Sequence, residues 1–252
     1  MTIHTYERSI RSSSCEGLLR EQGDTVYYND IFLLPIPSSR DGVTVNGTDI
    51  ALSDFIPLAK EGVLFVVYGL DRELSDRLTE KGAELLDLSL DEDFLCENGE
   101  LTACATLGIL LNSEKRVPQD MKIGIVGYGR IGKRLTRLLL YLGAEVCVYT
   151  SRNNTRLELC EFGVASQMSF ADAELSCLDL LINTAPAKIF DTENKEKFPQ
   201  SLRVIDLASG LNFPGVESVE KYPSVPAKMF PYSAGRIWYE AIERFITKKN
   251  KL

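Results

Sequence analysis

Histidine is almost missing from this chain, which has one, His4, in 252 residues. No C-x-x-C pair makes up for it among the six cysteines at 15, 96, 104, 147, 160 and 177, so no metal site is expected. Several of these cysteines sit inside apolar segments, as Cys147 does in Glu145-Val-Cys-Val-Tyr149, and reduced, mostly buried thiols of a cytoplasmic protein are expected. Long apolar runs are also lacking. The longest, residues 63–70, is far too short to span a bilayer, and residues 1–20 are too polar and charged to read as a signal peptide. Basic residues are outnumbered: 28 Lys and Arg stand against 36 Asp and Glu, a net charge of −8. An acidic surface repels phosphate backbones, so neither nucleic acid nor membrane is expected as a partner.

What is present is a rhythm. From residue 121 onward, strand-like runs alternate with helical patterns: strands at 121–126, 145–149, near 164, at 178–183 and at 202–207, with helices at 130–141 and near 154–161, 169–175 and 188–198. That alternation predicts a parallel sheet covered on both faces. The first half repeats it more weakly, with strands at 25–28, 30–34, 63–67 and 83–88 and helices at 13–22, 53–61 and 71–81. A long helix is expected at 97–112 and another at 233–247, with Ile237, Trp238, Ala241, Ile242 and Phe245 on one face. His4, near the terminus, is expected to be exposed. The reading is an α/β protein of two Rossmann-like domains with parallel sheets and a cleft between them. Residues 1–96 form a smaller substrate or partner domain, and 97–117 an inter-domain helix and linker. Residues 118–231 form a dinucleotide-binding domain, and 232–252 a helix packing back between the two.

The chemistry-bearing motif is Gly127-Tyr-Gly-Arg-Ile-Gly132, directly after a predicted strand and opening a predicted helix. In G-x-G-x-x-G the first glycine makes a tight turn, the second lets backbone approach a diphosphate, and the third lets helix and strand pack closely. Gly127, Tyr128, Gly129, Arg130, Ile131 and Gly132 are therefore candidate cofactor contacts. The next strand ends in Tyr149-Thr-Ser-Arg152, with no acid for a ribose 2′-hydroxyl. Thr150, Ser151 and Arg152 suit a 2′-phosphate, which favours NADP over NAD, although Arg152 at the surface of a helix start is the plainer alternative. Two further strand ends should open on the same crevice. They add Asn183, Thr184 and Pro186 as cofactor contacts, and Asp206 and Ser209 beside them; each is also an ordinary turn or cap residue.

The ordered set Gly127-Tyr-Gly-Arg-Ile-Gly132, Ile182-Asn-Thr-Ala-Pro186, Ile205-Asp-Leu-Ala-Ser209 and Phe230-Pro-Tyr-Ser-Ala-Gly235 resembles the dipicolinate synthase A subunits. More distantly it resembles the NAD(P)-binding domain of D-2-hydroxyacid dehydrogenases. Upstream, Leu33-Leu-Pro-Ile-Pro-Ser-Ser-Arg-Asp-Gly42 and Gly62-Val-Leu-Phe-Val-Val-Tyr-Gly69 are similar to the first domain of those synthase chains, here atypical and shortened. The resemblance implies an NADP-dependent oxidation of a dihydropyridine dicarboxylate, or its hydrated precursor, to an aromatic diacid in sporulating bacteria. It also implies partnership with a flavoprotein-like B subunit, with a homo-oligomer as a further option. Where the family has a glycine pair after its first strand, this chain reads Thr5-Tyr-Glu-Arg8. It has Gly210-Leu-Asn-Phe-Pro-Gly215 in place of Arg-Pro-Gly-Gly, and Tyr232 where lysine is usual.

A D-2-hydroxyacid dehydrogenase needs a histidine acid/base and an arginine for the carboxylate. The corresponding places hold Tyr232 and about Ser209, so that chemistry is not expected. An aromatising oxidation asks for less. Tyr232 or Asp206 would relay a proton, and Arg40, Ser209, Ser233 and Arg236 would meet substrate carboxylates. Two alternatives stay open at this point: a non-catalytic nucleotide-binding or scaffolding protein, and a dehydrogenase for another small carboxylated substrate.

Overall fold

The computed structural model describes residues 1–21, 28–151, 155–167, 175–186, 198–210 and 212–249. The chain divides into two compact units, one of residues 1–98 and 226–252, the other of residues 99–225.

In the first unit, strands β1 (Thr2–Thr5), β2 (Asp30–Leu33), β3 (Val63–Val67) and β4 (Glu84–Asp87) form a parallel sheet in that order. Helix α1 (Ile10–Glu21) follows β1, and α2 (Arg72–Glu80) joins β3 to β4. Asp71 caps α2 by accepting the Leu74 N–H at 2.9 Å. All five residues of β3 are buried, as expected for a strand covered on both faces. Each such aliphatic side chain contributes roughly 1.5–3 kcal/mol. Phe32, Phe55 and Phe65 stack and cross edge-to-face in the core beside them.

The second unit carries a six-stranded parallel sheet. Its strands are β5 (Lys122–Val126), β6 (Glu145–Tyr149), β7 (Ala165–Gln167), β8 (Leu180–Asn183), β9 (Arg203–Asp206) and β10 (Val219–Lys221). Their spatial order, β10-β9-β8-β5-β6-β7, is that of the doubly wound dinucleotide-binding fold, with the order reversing at β5. Helix α3 (Glu92–Ser113) begins in the first unit and ends in the second. Helix α4 (Arg130–Tyr141) links β5 to β6, and α5 (Thr155–Glu161) links β6 to β7. Arg203 pins the far end of the sheet, donating from Nη1 to Glu114 at 2.7 Å and from Nε to Glu220 at 2.5 Å.

The chain then passes through α6 (Val225–Met229) into α7 (Pro231–Lys249). Helix α7 buries Ala234, Gly235, Ile237, Trp238, Ala241 and Ile242 and packs along α1 in the first unit. Gly235 is the close-approach point. A Cβ there would lie 2.6 Å from the Arg11 carbonyl oxygen and 2.7 Å from the Ser14 Cβ. Helix α3 is the one helix among the described residues long and apolar enough to cross a membrane. It buries Phe94, Ala103, Ala105 and Leu110 in the protein.

Four expectations need correction. Residues 52–58 wind as a 3-10 helix, because Pro57 removes an N–H that an α-helix would use. Tyr28 lies outside any strand, while Thr2–Thr5, not anticipated, forms an edge strand; residues 25–27 lie outside the described residues. His4 is half-buried in that strand, its ring stacked on Phe32 at 4.4 Å and its Nε2 2.9 Å from Asp30 Oδ1. The cysteines are free but divided: Cys15 and Cys147 are buried, and Cys96, Cys160 and Cys177 are exposed. The helices expected near 169–175 and 188–198 fall almost wholly outside the described residues.

Gly235→Ala is predicted to cost about 1–3 kcal/mol through overpacking between α7 and α1, measured by urea unfolding. An unchanged midpoint would show that the two helices separate freely.

Candidate dinucleotide site

The three motif glycines answer to different constraints. Gly127 holds φ at +89°, which L-residues rarely adopt, and a Cβ there would lie 2.8 Å from Thr184 Oγ1. Gly132 sits in the first turn of α4, where a Cβ would meet the Gly127 carbonyl oxygen at 2.2 Å. Both are demanded by the protein's own packing. Gly129 is not: it is exposed, its φ is an ordinary −87°, and a Cβ there meets nothing within 4 Å. Among the described residues, no atom requires a glycine at this position.

Gly129 is also the N-cap of α4 and offers no side-chain cap; the first turn of α4 contains no acid. The first intrahelical bond runs from the Lys133 N–H to the Gly129 carbonyl at 2.9 Å. Ahead of it, the amides of the turn point out at the positive end of the helix dipole, the arrangement that receives a diphosphate. Residues 127–132 thus fit the phosphate portion of a dinucleotide.

Neighbouring strand ends lock this turn. Gly127 donates its N–H to the Tyr149 carbonyl at 2.9 Å, tying the ends of β5 and β6. Thr184 donates its hydroxyl to the Val126 carbonyl at 2.9 Å, tying β8 to β5. Beyond these ends, Thr150 is buried and Ser151 is exposed, while Arg152 lies outside the described residues. Thr184 is half-buried and Pro186 exposed.

Asn183 and Asp206 form a buried pair at the ends of β8 and β9, with Asn183 Nδ2 2.8 Å from Asp206 Oδ1. Asp206 is only 1% exposed, and it also accepts from Asn212 Nδ2 at 3.1–3.2 Å and from the Ala208 N–H at 3.2 Å. Sequence reasoning did not single out Asn212; the only cue was its place six residues after Asp206. Ser209 is exposed on the same loop.

Tyr128 points inward, its hydroxyl 3.3 Å from Glu158 Oε1, and burial with the nearby carboxylate pushes its phenol up to about 12. Glu158 is held below the usual carboxylate range by Lys133, 2.7 Å away. Neither Glu158 nor Lys133 was anticipated. Together they join α5 to α4 beside the turn.

The remaining candidates belong to the first unit. Tyr232 is 71% exposed at the start of α7, and Ser233 is half-buried beside it. Arg236 is exposed and paired with Glu240 at 2.5 Å. Arg40 is exposed on the loop after β2, next to Asp41, whose carboxyl is held far below its ordinary value by the amides of Thr44 and Val43.

Replacing Gly129 by alanine is predicted to leave stability within about 0.5 kcal/mol while weakening dinucleotide binding at least about tenfold. Gly132→Ala should lower both. Thermal unfolding together with cofactor fluorescence titration separates the two, and full affinity in the Gly129 variant would refute the diphosphate assignment.

Comparison with known proteins agrees with this geometry. Residues 112–211 match the family model described as D-isomer specific 2-hydroxyacid dehydrogenase, NAD binding domain. No curated protein matches the chain in sequence. Among solved structures, the dipicolinate synthase A chain from Bacillus halodurans is 22% identical, with a TM-score of 0.71 over 90% of this chain and 82% of that one. The A chain of dipicolinate synthase from Bacillus subtilis is 17% identical, with a TM-score of 0.76 over 98% and 95% of the two chains. The NAD-complexed D-isomer specific 2-hydroxyacid dehydrogenase from Lactobacillus delbrueckii ssp. bulgaricus is 12% identical, with a TM-score of 0.57 over 100% and 97%. The chain thus has the fold of the dipicolinate synthase A subunits, two Rossmann-like domains, and residues 112–211 match the NAD-binding domain of the D-2-hydroxyacid dehydrogenases.

Proposed function

We propose that this protein is a cytoplasmic NADP-dependent oxidoreductase that oxidises a dihydropyridine-dicarboxylate-type compound to an aromatic diacid. The observation that carries the reading is Gly129, a glycine open to solvent and required by no atom of the described residues, at the N-terminus of a helix in a segment that matches an NAD-binding domain. The family match supports a nicotinamide dinucleotide. The preference for NADP rests on Thr150, Ser151 and Arg152, where no acid is present to accept the ribose hydroxyl. A sporulation role and partnership with a flavoprotein-like B subunit follow from the resemblance to the synthase.

When bound, the dinucleotide supplies a nicotinamide ring that accepts hydride. The chain's own contribution is positional. The turn at 127–132 fixes the diphosphate, and Thr184 holds that turn against β8. Asp206 acts as a positioning residue, freezing Asn183 and the loop that carries Ser209. The substrate loses one hydride and one proton as its ring becomes aromatic, and Tyr232 is the proposed relay for the proton. Arg40, Arg236, Ser209 and Ser233 are the proposed carboxylate contacts. A second reading, a nucleotide-binding scaffold without turnover, is favoured by Tyr232 standing where the synthase family carries lysine.

NADPH is predicted to bind more tightly than NADH, with Arg152→Ala removing most of the difference, about tenfold or 1.4 kcal/mol. Dihydrodipicolinate precursor and NADP+ should yield pyridine absorbance that Tyr232→Phe diminishes. Equal NADH affinity would overturn the cofactor preference. Cofactor binding without turnover, even with a B-type partner added, would establish the scaffold.

A further inference from the structure

We infer that the open groove at the carboxyl end of β1 binds the carboxylate of a small organic acid, with Arg8 as its principal contact. The inference rests on the reading of the chain as an oxidoreductase for a carboxylated compound, and it places one carboxylate of that substrate on Arg8, Ser13 and Ser14, beside the proposed relay Tyr232. The groove has a volume of about 610 Å³, within the range of small-molecule sites. Its wall is formed by the turn after β1, the first turns of α1 and Tyr232.

Its charge is unusual for a protein of net charge −8. The one acid in the wall, Glu7, is occupied: it accepts from Ser9 Oγ at 2.7 Å and is ion-paired with Arg11. Arg11 is 6% exposed and still has an unpartnered Nε, so the Glu7–Arg11 pair offers no surplus negative charge. Arg8 is exposed, lines the groove and has no carboxylate partner among the described residues. The groove therefore carries one uncompensated guanidinium in a wall with no free anion.

The hydroxyls sort in the same way. Ser9 and Ser12 are used within the turn, Ser12 Oγ donating to the Ser9 carbonyl at 2.9 Å and Ser9 Oγ accepting the Ser12 N–H at 3.2 Å. Ser13, Ser14 and Tyr232 also line the groove, and their hydroxyls have no partner among the described residues. One planar, two-pronged cation with three free hydroxyls around it matches a singly charged, two-oxygen carboxylate better than a doubly charged phosphate. Tyr232 adds a flat face against which an unsaturated ring can lie.

Isothermal titration of the full chain with pyridine-2,6-dicarboxylate, and separately with inorganic phosphate, tests this. Arg8→Gln is expected to weaken dicarboxylate binding at least about tenfold, and Ser13→Ala with Ser14→Ala by several-fold. Dinucleotide affinity, followed by nicotinamide fluorescence on the same samples, should not change in either variant. Dicarboxylate affinity unaltered by Arg8→Gln would overturn the inference while leaving the oxidoreductase reading intact. Phosphate bound as tightly as dicarboxylate, or no dicarboxylate binding by the unmodified chain, would also overturn it. Arg8-dependent dicarboxylate binding in a chain that takes no dinucleotide would sustain the groove and remove the oxidoreductase reading.

Discussion

The close approach of α4 to the end of β5, with Gly132 packed on the Gly127 carbonyl, is the contact on which the candidate dinucleotide site depends. It leaves no room for a Cβ at residue 132 and bends the chain through a positive φ at residue 127. A helix held this near the strand end turns its first amides outward at the point where the strand order reverses, where doubly wound sheets place their ligands. The amide of Gly127 on Tyr149 and the hydroxyl of Thr184 on Val126 then brace the turn from both neighbouring strands. The turn presents main chain, so its shape is set by packing behind it and not by side chains within it.

Behind that surface lies a buried polar layer. Asn183, Asp206 and Asn212 satisfy one another at the ends of β8 and β9, where unpaired groups would each cost about 1–3 kcal/mol. Such a layer holds two loops in register. On the other side, the Tyr128–Glu158–Lys133 cluster joins α4 to α5, and burial beside the carboxylate pushes the phenol up. These braced elements belong to the second unit, and the groove with Arg8, Ser13, Ser14 and Tyr232 belongs to the first.

Much of this was legible in the chain. The bounds of α4 and β6 coincide with the expected 130–141 and 145–149, because glycines 129 and 143 punctuate a strongly amphipathic run and a β-branched one. The short strands β1 and β10 were not anticipated: four and three residues are too few to show a period, and both are defined by their neighbours in the sheet. At residues 52–58, helical spacing outweighed the effect of Pro57. In the candidate site, the glycine turn was readable from its spacing together with the strand before it and the helix after it. The surrounding contacts were not, since Glu158 meets Lys133 and Tyr128, and Asn212 meets Asp206, only through folding. The serine-rich segment 9–14 drew no functional expectation; its part in a groove emerges only when Tyr232 is brought to it by α7.

The central claim is that main-chain amides of the turn at 129–131 hold a dinucleotide diphosphate. The most direct test is a crystal structure of the protein grown with NADPH. The account predicts diphosphate oxygens within hydrogen-bond distance of those amides and adjacent to Gly129. Density for the dinucleotide elsewhere on the sheet, with this turn bare, would contradict it.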